Sequence, residues 1–288
     1  MALAPAAGPA IVSVPGGSVE VTIAAQPSGV SRAQLLTWVE GSARAVAAYY
    51  GIFPVPRVRL AIRPAGSAGV GGGRTEGGRD GASIEIAVGD ATSETDLEAD
   101  WELTHEMVHL AFPSMPRRRG WIEEGLATYV EPIVRVRAGR ASGDEIWRWL
   151  TWGLPQGAAA AERVGLDTAR SHGAKYWGGA LFCFLADVEI RQRADNRKSL
   201  DDALRAIVRA GGNVTVSWDL ARTLAIGDKA VGVPVLTELY ARMGEKPMTA
   251  DVSLLLSKLG VSGGRAGVTY DDTAPLAAIR LGIQSGSR

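Results

Sequence analysis

The separation of two hydrophobic periodicities most constrains how this chain folds. Segments with strand-like alternation fall almost wholly before residue 90, and helical-period segments dominate from about Glu94 onward. "RVRLAI" (Arg57–Ile62) and "SIEIAV" (Ser83–Val88) alternate as half-buried strands do. Before them, "SRAQLLTWVEGSARAVAAYYG" reads as a helix. Ser31 and Gln34 have capping-box spacing, and Gly51 closes the run. Later segments such as "DEIWRWLTWG", "SLDDALRAIVRAGG" and "VPVLTELYARMG" repeat the helical period with glycine or polar stops. Strands first and helices afterwards predict an α+β fold. The expected organisation is a flexible N-terminus over 1–30 carrying a strand or hairpin, an α/β subdomain over 31–135, and a helical subdomain over 136–288.

Composition narrows the function classes. Lys+Arg and Asp+Glu balance at 31 each, so there is no global basic field to attract nucleic acid. The 46% hydrophobic content suits a globular chain, yet no run reaches the length of a membrane span. The N-terminal stretch lacks the basic and apolar regions of a signal peptide. One cysteine, Cys183, rules out an intrachain disulfide, and its apolar setting in "ALFCFLAD" predicts a core thiol.

"WELTHEMVHLAF" (Trp101–Phe112) holds two of the three histidines. On a helix, residues i and i+4 share a face, so His105 and His109 can offer two imidazoles to one ion. Glu106 lies beside them and can take a proton from a metal-bound water. Zinc suits such nitrogen and oxygen donors, but a catalytic zinc needs three protein ligands and one open position. Fifteen residues on, "GWIEEGLATYVEP" offers Glu123 and Glu124. They point about 100° apart on a helix, so only one can be the third ligand. Thr128, one turn beyond, is placed to hydrogen-bond a ligating histidine. Glu131 reads as a solvated acid.

Between the two strands lies "RPAGSAGVGGGRTEGGRDG". Its glycine density argues against regular packed structure. The segment is either a flexible hairpin tip or backbone that approaches a bound substrate. It has no G-K-[ST], which argues against a phosphate loop. The tryptophans Trp147, Trp149 and Trp152 share one predicted helix. Core packing is the default for them, and the wall of an apolar substrate pocket is the other reading. "RRR" at 117–119 reads as a solvated turn that could bind an acidic group. His172 reads as a solvent-facing loop residue or a second transition-state donor.

HExxH followed by "W-x-x-E-G-L-A-x-Y" resembles the gluzincin metallopeptidases. That resemblance implies a thermolysin-like zincin fold, bound Zn2+, a peptide or protein substrate, and Glu124 as the third zinc ligand beside His105 and His109. The metzincins instead use a third histidine soon after the motif, and none follows His109 until His172. A second block, "KYWGGALFCFLADVEIR", resembles the "Y-x-K-G-A-L…D-x-x-I-R" helix of the glycyl-aminopeptidase-like gluzincins. The implied oxyanion donor is Tyr176. The implied unit is the catalytic domain without the PDZ-like domain found in that family. Two departures stand out. Gly178 replaces the lysine of the pattern, and "GGGRTEGG" replaces the strand that anchors a substrate amine, with Glu76 a poor substitute in a flexible loop.

The resulting expectation is a zinc-dependent peptidase with Glu106 as general base, aminopeptidase-like or acting on small peptides. The alternative is a catalytically silent zinc protein used for binding or scaffolding. The resemblance leans towards an extracytoplasmic location. Oligomeric state is left open.

Overall fold

The computed structural model of the protein describes residues 8–286. The expectation of a flexible terminus therefore lies in part outside the described residues, at 1–7. A hairpin of β1 (Ala10–Val14) and β2 (Gly17–Ile23) follows. Helix α1 (Arg32–Tyr50) begins with the Ser31–Gln34 capping box and ends at Gly51 in the left-handed region, as its sequence predicts. Next come β3 (Arg57–Ala65), β4 (Val70–Gly78) and β5 (Gly81–Gly89). The strands form one sheet in the order β1-β2-β3-β5-β4. The central strands β2, β3 and β5 are parallel, and β1 and β4 run antiparallel along the two edges. Val58, Leu60 and Ile62 of β3 and Ile84, Ile86 and Val88 of β5 are buried in alternation.

The glycine-rich segment is thus strand, contrary to the sequence expectation. Seven residues of β4 pair with β5, with one irregularity between Gly71 and Arg74. Glycine has no intrinsic strand preference, but pairing and close packing override that here.

After the sheet the chain is mainly helical. Helices α2 (Glu94–Ala99), α3 (Glu102–His109) and α4 (Gly120–Arg137) carry the two motifs. Then follow α5 (Gly143–Ala161), α6 (His172–Arg193), α7 (Leu200–Arg209), α8 (Leu220–Val231), α9 (Val235–Met243) and α10 (Val252–Lys258). A small hairpin, β6 (Val261–Gly264) and β7 (Gly267–Tyr270), precedes α11 (Ala277–Ser285). The architecture is the α+β order that the two periodicities predict.

Two contacts hold the helical half in register. Gly125 of α4 and Gly179 of α6 meet so closely that a Cβ on Gly125 would lie 2.1 Å from the Gly179 carbonyl carbon. Only glycine permits that approach. It brings the helix carrying Glu124 directly against the helix carrying Tyr176. Below this crossing, Asp187 accepts hydrogen bonds from Tyr129 Oη (2.9 Å), Arg191 Nε (3.0 Å) and the Leu200 amide (2.9 Å). Asp201 accepts from Tyr49 Oη (2.8 Å) and Arg137 (2.6 Å). Buried charges persist when partnered in this way. The "D-x-x-I-R" pattern and the Asp of "SLDDALRAI" are therefore structural ties between α1, α4, α6 and α7. Cys183 is buried among them, and burial pushes its thiol well up, in keeping with a core role.

Candidate functional site

Helix α3 is set in place from its first turn. Asp100 accepts hydrogen bonds from the Glu102 amide (2.9 Å) and the Leu103 amide (3.2 Å), and Trp38 Nε1 donates to it at 3.0 Å. This satisfies amides that the start of a helix leaves unpaired. The helix packs against α1, α4 and β4. Leu103, Met107 and Val108 are fully buried on its inner side. The opposite side carries His105, Glu106 and His109 to the cleft.

The cleft brings His105, His109 and Glu124 together. One donor atom from each lies within 4.8 Å of the others. Glu124 Oε2 stands 3.7 Å from His105 Nε2 and 3.5 Å from His109 Nε2. Those separations are at or beyond the limit of a good hydrogen bond. Tetrahedral zinc with bonds of about 2.0–2.1 Å spaces its ligand atoms about 3.3 Å apart. Glu124 Oε2 is also buried without any hydrogen-bond partner. A buried carboxylate oxygen left this way is costly, and an ion between it and the two imidazoles removes the cost. The donor set therefore fits a zinc ion. Glu123, the other candidate, turns away and accepts from the Met115 amide at 3.3 Å. Burial raises its carboxyl to about 7.

The electrostatics follow from this crowding. Burial lowers His105, which favours the neutral imidazole that offers a lone pair. Burial pulls His109 down as well, but the carboxylates of Glu124, Glu106 and Glu123 outweigh it and raise this histidine. Burial alone would raise Glu124, yet the two imidazoles facing it hold its carboxyl far below the ordinary range. Tyr176 is raised, by burial first and then by the Glu124 charge, so it stays a phenol and a hydrogen-bond donor at neutral pH. Its ring is nearly parallel to that of His105, with centroids 6.2 Å apart.

Strand β4 borders the same cleft. Thr75 Oγ1 lies 2.6 Å from Glu106 Oε2 and 2.8 Å from the Glu106 carbonyl oxygen. The Gly73 amide donates to Glu102 Oε1 at 2.6 Å. A Cβ on Gly73 would lie 2.6 Å from Glu106 Cγ. The glycines let the strand lie directly against α3. The segment is therefore not a flexible hairpin tip, and residues 73–77 line the cleft. Thr75 was missed by sequence reasoning, because a threonine among glycines carries no signal until its partner is known.

Other expected residues divide. His172 is exposed and stacks on Tyr176, with ring centroids 3.9 Å apart and planes 13° from parallel. Glu76 is exposed on a regular strand, not in a flexible loop, and pairs with Arg74 at 2.6 Å. Thr128 does not reach a histidine. Its hydroxyl donates to the carbonyl of Glu124 at 2.7 Å, the bond a helical threonine finds one turn back. Glu131 is buried, not solvated, and accepts from Arg135. Burial raises its carboxyl to about 7 even so. Arg119 faces inward and lies 3.6 Å from Asp167, while Arg117 is exposed and lines the cleft. Gly178 packs against Leu166, whose Cδ2 would lie 3.0 Å from an added Cβ.

A solved structure shares this architecture. An aminopeptidase N family protein from Idiomarina loihiensis matches over 88% of this chain and 49% of its own, with a TM-score of 0.63 and 12% identity. An M1 zinc metallopeptidase from Deinococcus radiodurans matches over 85% of this chain and 54% of its own, with a TM-score of 0.49 and 15% identity. The first match shows a shared fold over the part of that protein it covers. The chain spans about half the length of these proteins. No protein-family model matches the sequence, and no curated protein matches it. Among the described residues, no helix is long and apolar enough to cross a membrane.

Proposed function

We propose that the chain is a zinc-dependent metallopeptidase that hydrolyses peptide bonds. The observation that carries this reading is the convergence of His105, His109 and the unpartnered Glu124 oxygen on one point, with Glu106 and Tyr176 at its margin. A structural zinc would need neither of the last two. When bound to the three ligands, zinc supplies a Lewis acid that polarises a carbonyl and makes water acidic.

The chain's own residues do the rest. Glu106 takes a proton from the attacking water as its oxygen bonds to the carbonyl carbon. It then gives that proton to the nitrogen as the C–N bond breaks, so an amine and a carboxylic acid form, and the acid loses its proton to solvent. Thr75 holds the Glu106 carboxylate in place from across the cleft. Tyr176 donates to the oxyanion that develops. The outer edge of β4 offers backbone groups to an extended peptide. The reading covers aminopeptidase-like and small-peptide hydrolysis. The ion pair of Glu76 with Arg74 already engages the carboxylate that would hold a substrate amine.

The deciding experiment compares the zinc-loaded wild type with Glu106→Gln on a peptide library. The variant should keep stoichiometric zinc and lose about 10²–10⁴-fold in turnover. Undiminished turnover in the variant would overturn this mechanism.

A further inference from the structure

The cleft has a second lobe that the mechanism leaves unused. It is a cavity of about 450 Å3 that opens beside His105, Glu106 and Tyr176. Trp101, Trp149, Trp152 and Trp177 line it. Three of them form a continuous cluster. Trp149 lies 4.9 Å from Trp177 and 5.3 Å from Trp152, and Trp152 meets Trp177 edge to face at 5.4 Å. Trp101 closes the cluster at 6.3 Å from Trp149 and touches the His105 ring edge-on at 5.7 Å.

These rings are held but only partly covered. Trp149 Nε1 donates to the Thr128 carbonyl at 3.2 Å, which ties the wall to the helix that carries Glu124. Trp101 and Trp152 nevertheless remain 44% and 36% exposed. Their neighbour Trp147 is fully buried and is ordinary core. Exposing indole faces to water in a concave wall is unfavourable unless something fills the space. Arg265 packs over the Trp152 ring at 4.8 Å and covers part of it, and the remaining indole surface faces the cavity. The charged side chains on the lobe are all acidic, Glu102 and Glu131 among them, and no lysine or arginine lines it. An acidic guest would meet repulsion from these carboxylates. A flat apolar guest would meet ring faces and edges.

We propose that this lobe is a specificity pocket for the aromatic side chain of a substrate residue next to the cleaved bond. The proposal rests on the peptidase reading, because it places the guest beside Glu106. Trp149 and Trp177 build the walls, and Trp101 and Trp152 receive the ring at the mouth.

The test uses the zinc-loaded full chain and two peptide series. One varies the residue before the cleaved bond, and the other varies the residue after it, each through Phe, Ala and Glu. In one series Phe should exceed Ala by about tenfold or more in kcat/KM, with Glu the poorest. Trp152→Ala and, separately, Trp101→Ala should collapse the Phe-to-Ala ratio. A ratio is read so that a general loss of fold, which lowers both rates, does not imitate the effect. Absence of Phe preference in both series would overturn the pocket, as would a ratio that survives both substitutions. If no peptide is cleaved, the peptidase reading fails and binding judges the pocket alone. The same Phe and Ala peptides are then titrated into zinc-loaded Glu106→Gln, with tryptophan emission as the readout. Binding of Phe at least about tenfold tighter than Ala keeps the pocket, and equal or absent binding discards it.

Discussion

Thr75 on strand β4 and Glu106 on helix α3 meet across the cleft at 2.6 Å, hydroxyl to carboxylate. The strand that supplies the hydroxyl is a sheet edge, and the helix carries two of the proposed ligands. The hydrogen bond thus fixes the proposed base relative to both the sheet edge and the proposed metal site. Thr75→Ala should lower kcat by about 10- to 100-fold, since small misplacements of a reacting group have that effect. Zinc content and KM should change little, and Thr75→Ser should restore most of the rate. Equal rates for the alanine and serine variants would remove Thr75 from the mechanism.

Gly73 is predicted to be more sensitive in catalysis than in stability. An added methyl meets Glu106 Cγ at 2.6 Å and Glu106 Oε1 at 2.8 Å. A side chain can swing away from such a contact at modest cost, but this one would leave its working position. Gly73→Ala should therefore reduce turnover by about 10²-fold while thermal denaturation shifts only slightly. A large fall in Tm at full specific activity would contradict this account.

Metal removal should destabilise the protein through Glu124. Zinc at the proposed site would bind the folded protein and not the unfolded chain, so free zinc at about 100 times Kd would add about 2.7 kcal/mol. A chelator should lower the Tm of the wild type accordingly. Glu124→Ala, which removes the unpartnered oxygen, should make the Tm nearly insensitive to chelator. If Glu123→Ala had that effect instead, the third ligand would be misassigned.

The buried Asp201 predicts an acid-side loss of stability. Burial would raise its carboxyl, but Arg137 and Arg191 hold it below the ordinary value. A group with a depressed folded pKa contributes stability above its unfolded value, near 3.9, and that stability is lost as pH falls through the folded value. Wild-type stability should thus decline below about pH 4. Asp201→Asn should cost about 3–5 kcal/mol at neutral pH by leaving Arg137 buried and unpaired, and its profile should be flatter in acid. Urea midpoints measured from pH 2 to 7 would show both effects.

Much of this was legible in the sequence, and the exceptions share a physical cause. Capping chemistry is local, so Ser31, Gln34 and Gly51 marked α1 correctly. Helical spacing is also local, so His105 and His109 could be placed on one face. Glu123 and Glu124 could not be separated by spacing alone, because the choice depends on how α4 packs. The strand β4 is not legible in the sequence because its glycines reflect close packing against α3, a tertiary fact. Glu131 and Thr128 failed for a similar reason. Burial and hydrogen-bond partners depend on what other helices bring, and an isolated acid or hydroxyl looks the same in water. The β6–β7 hairpin, with four residues in each strand, is too short to carry a clear alternation.

The approach of Gly125 to Gly179 has one more consequence. It makes the proposed oxyanion donor and the proposed third ligand neighbours only while α4 and α6 touch backbone to backbone. Any larger residue at either position acts as a spacer between two gears. Such a variant would keep every proposed catalytic side chain and still lose its timing, because Tyr176 and Glu124 would no longer turn on a common axle.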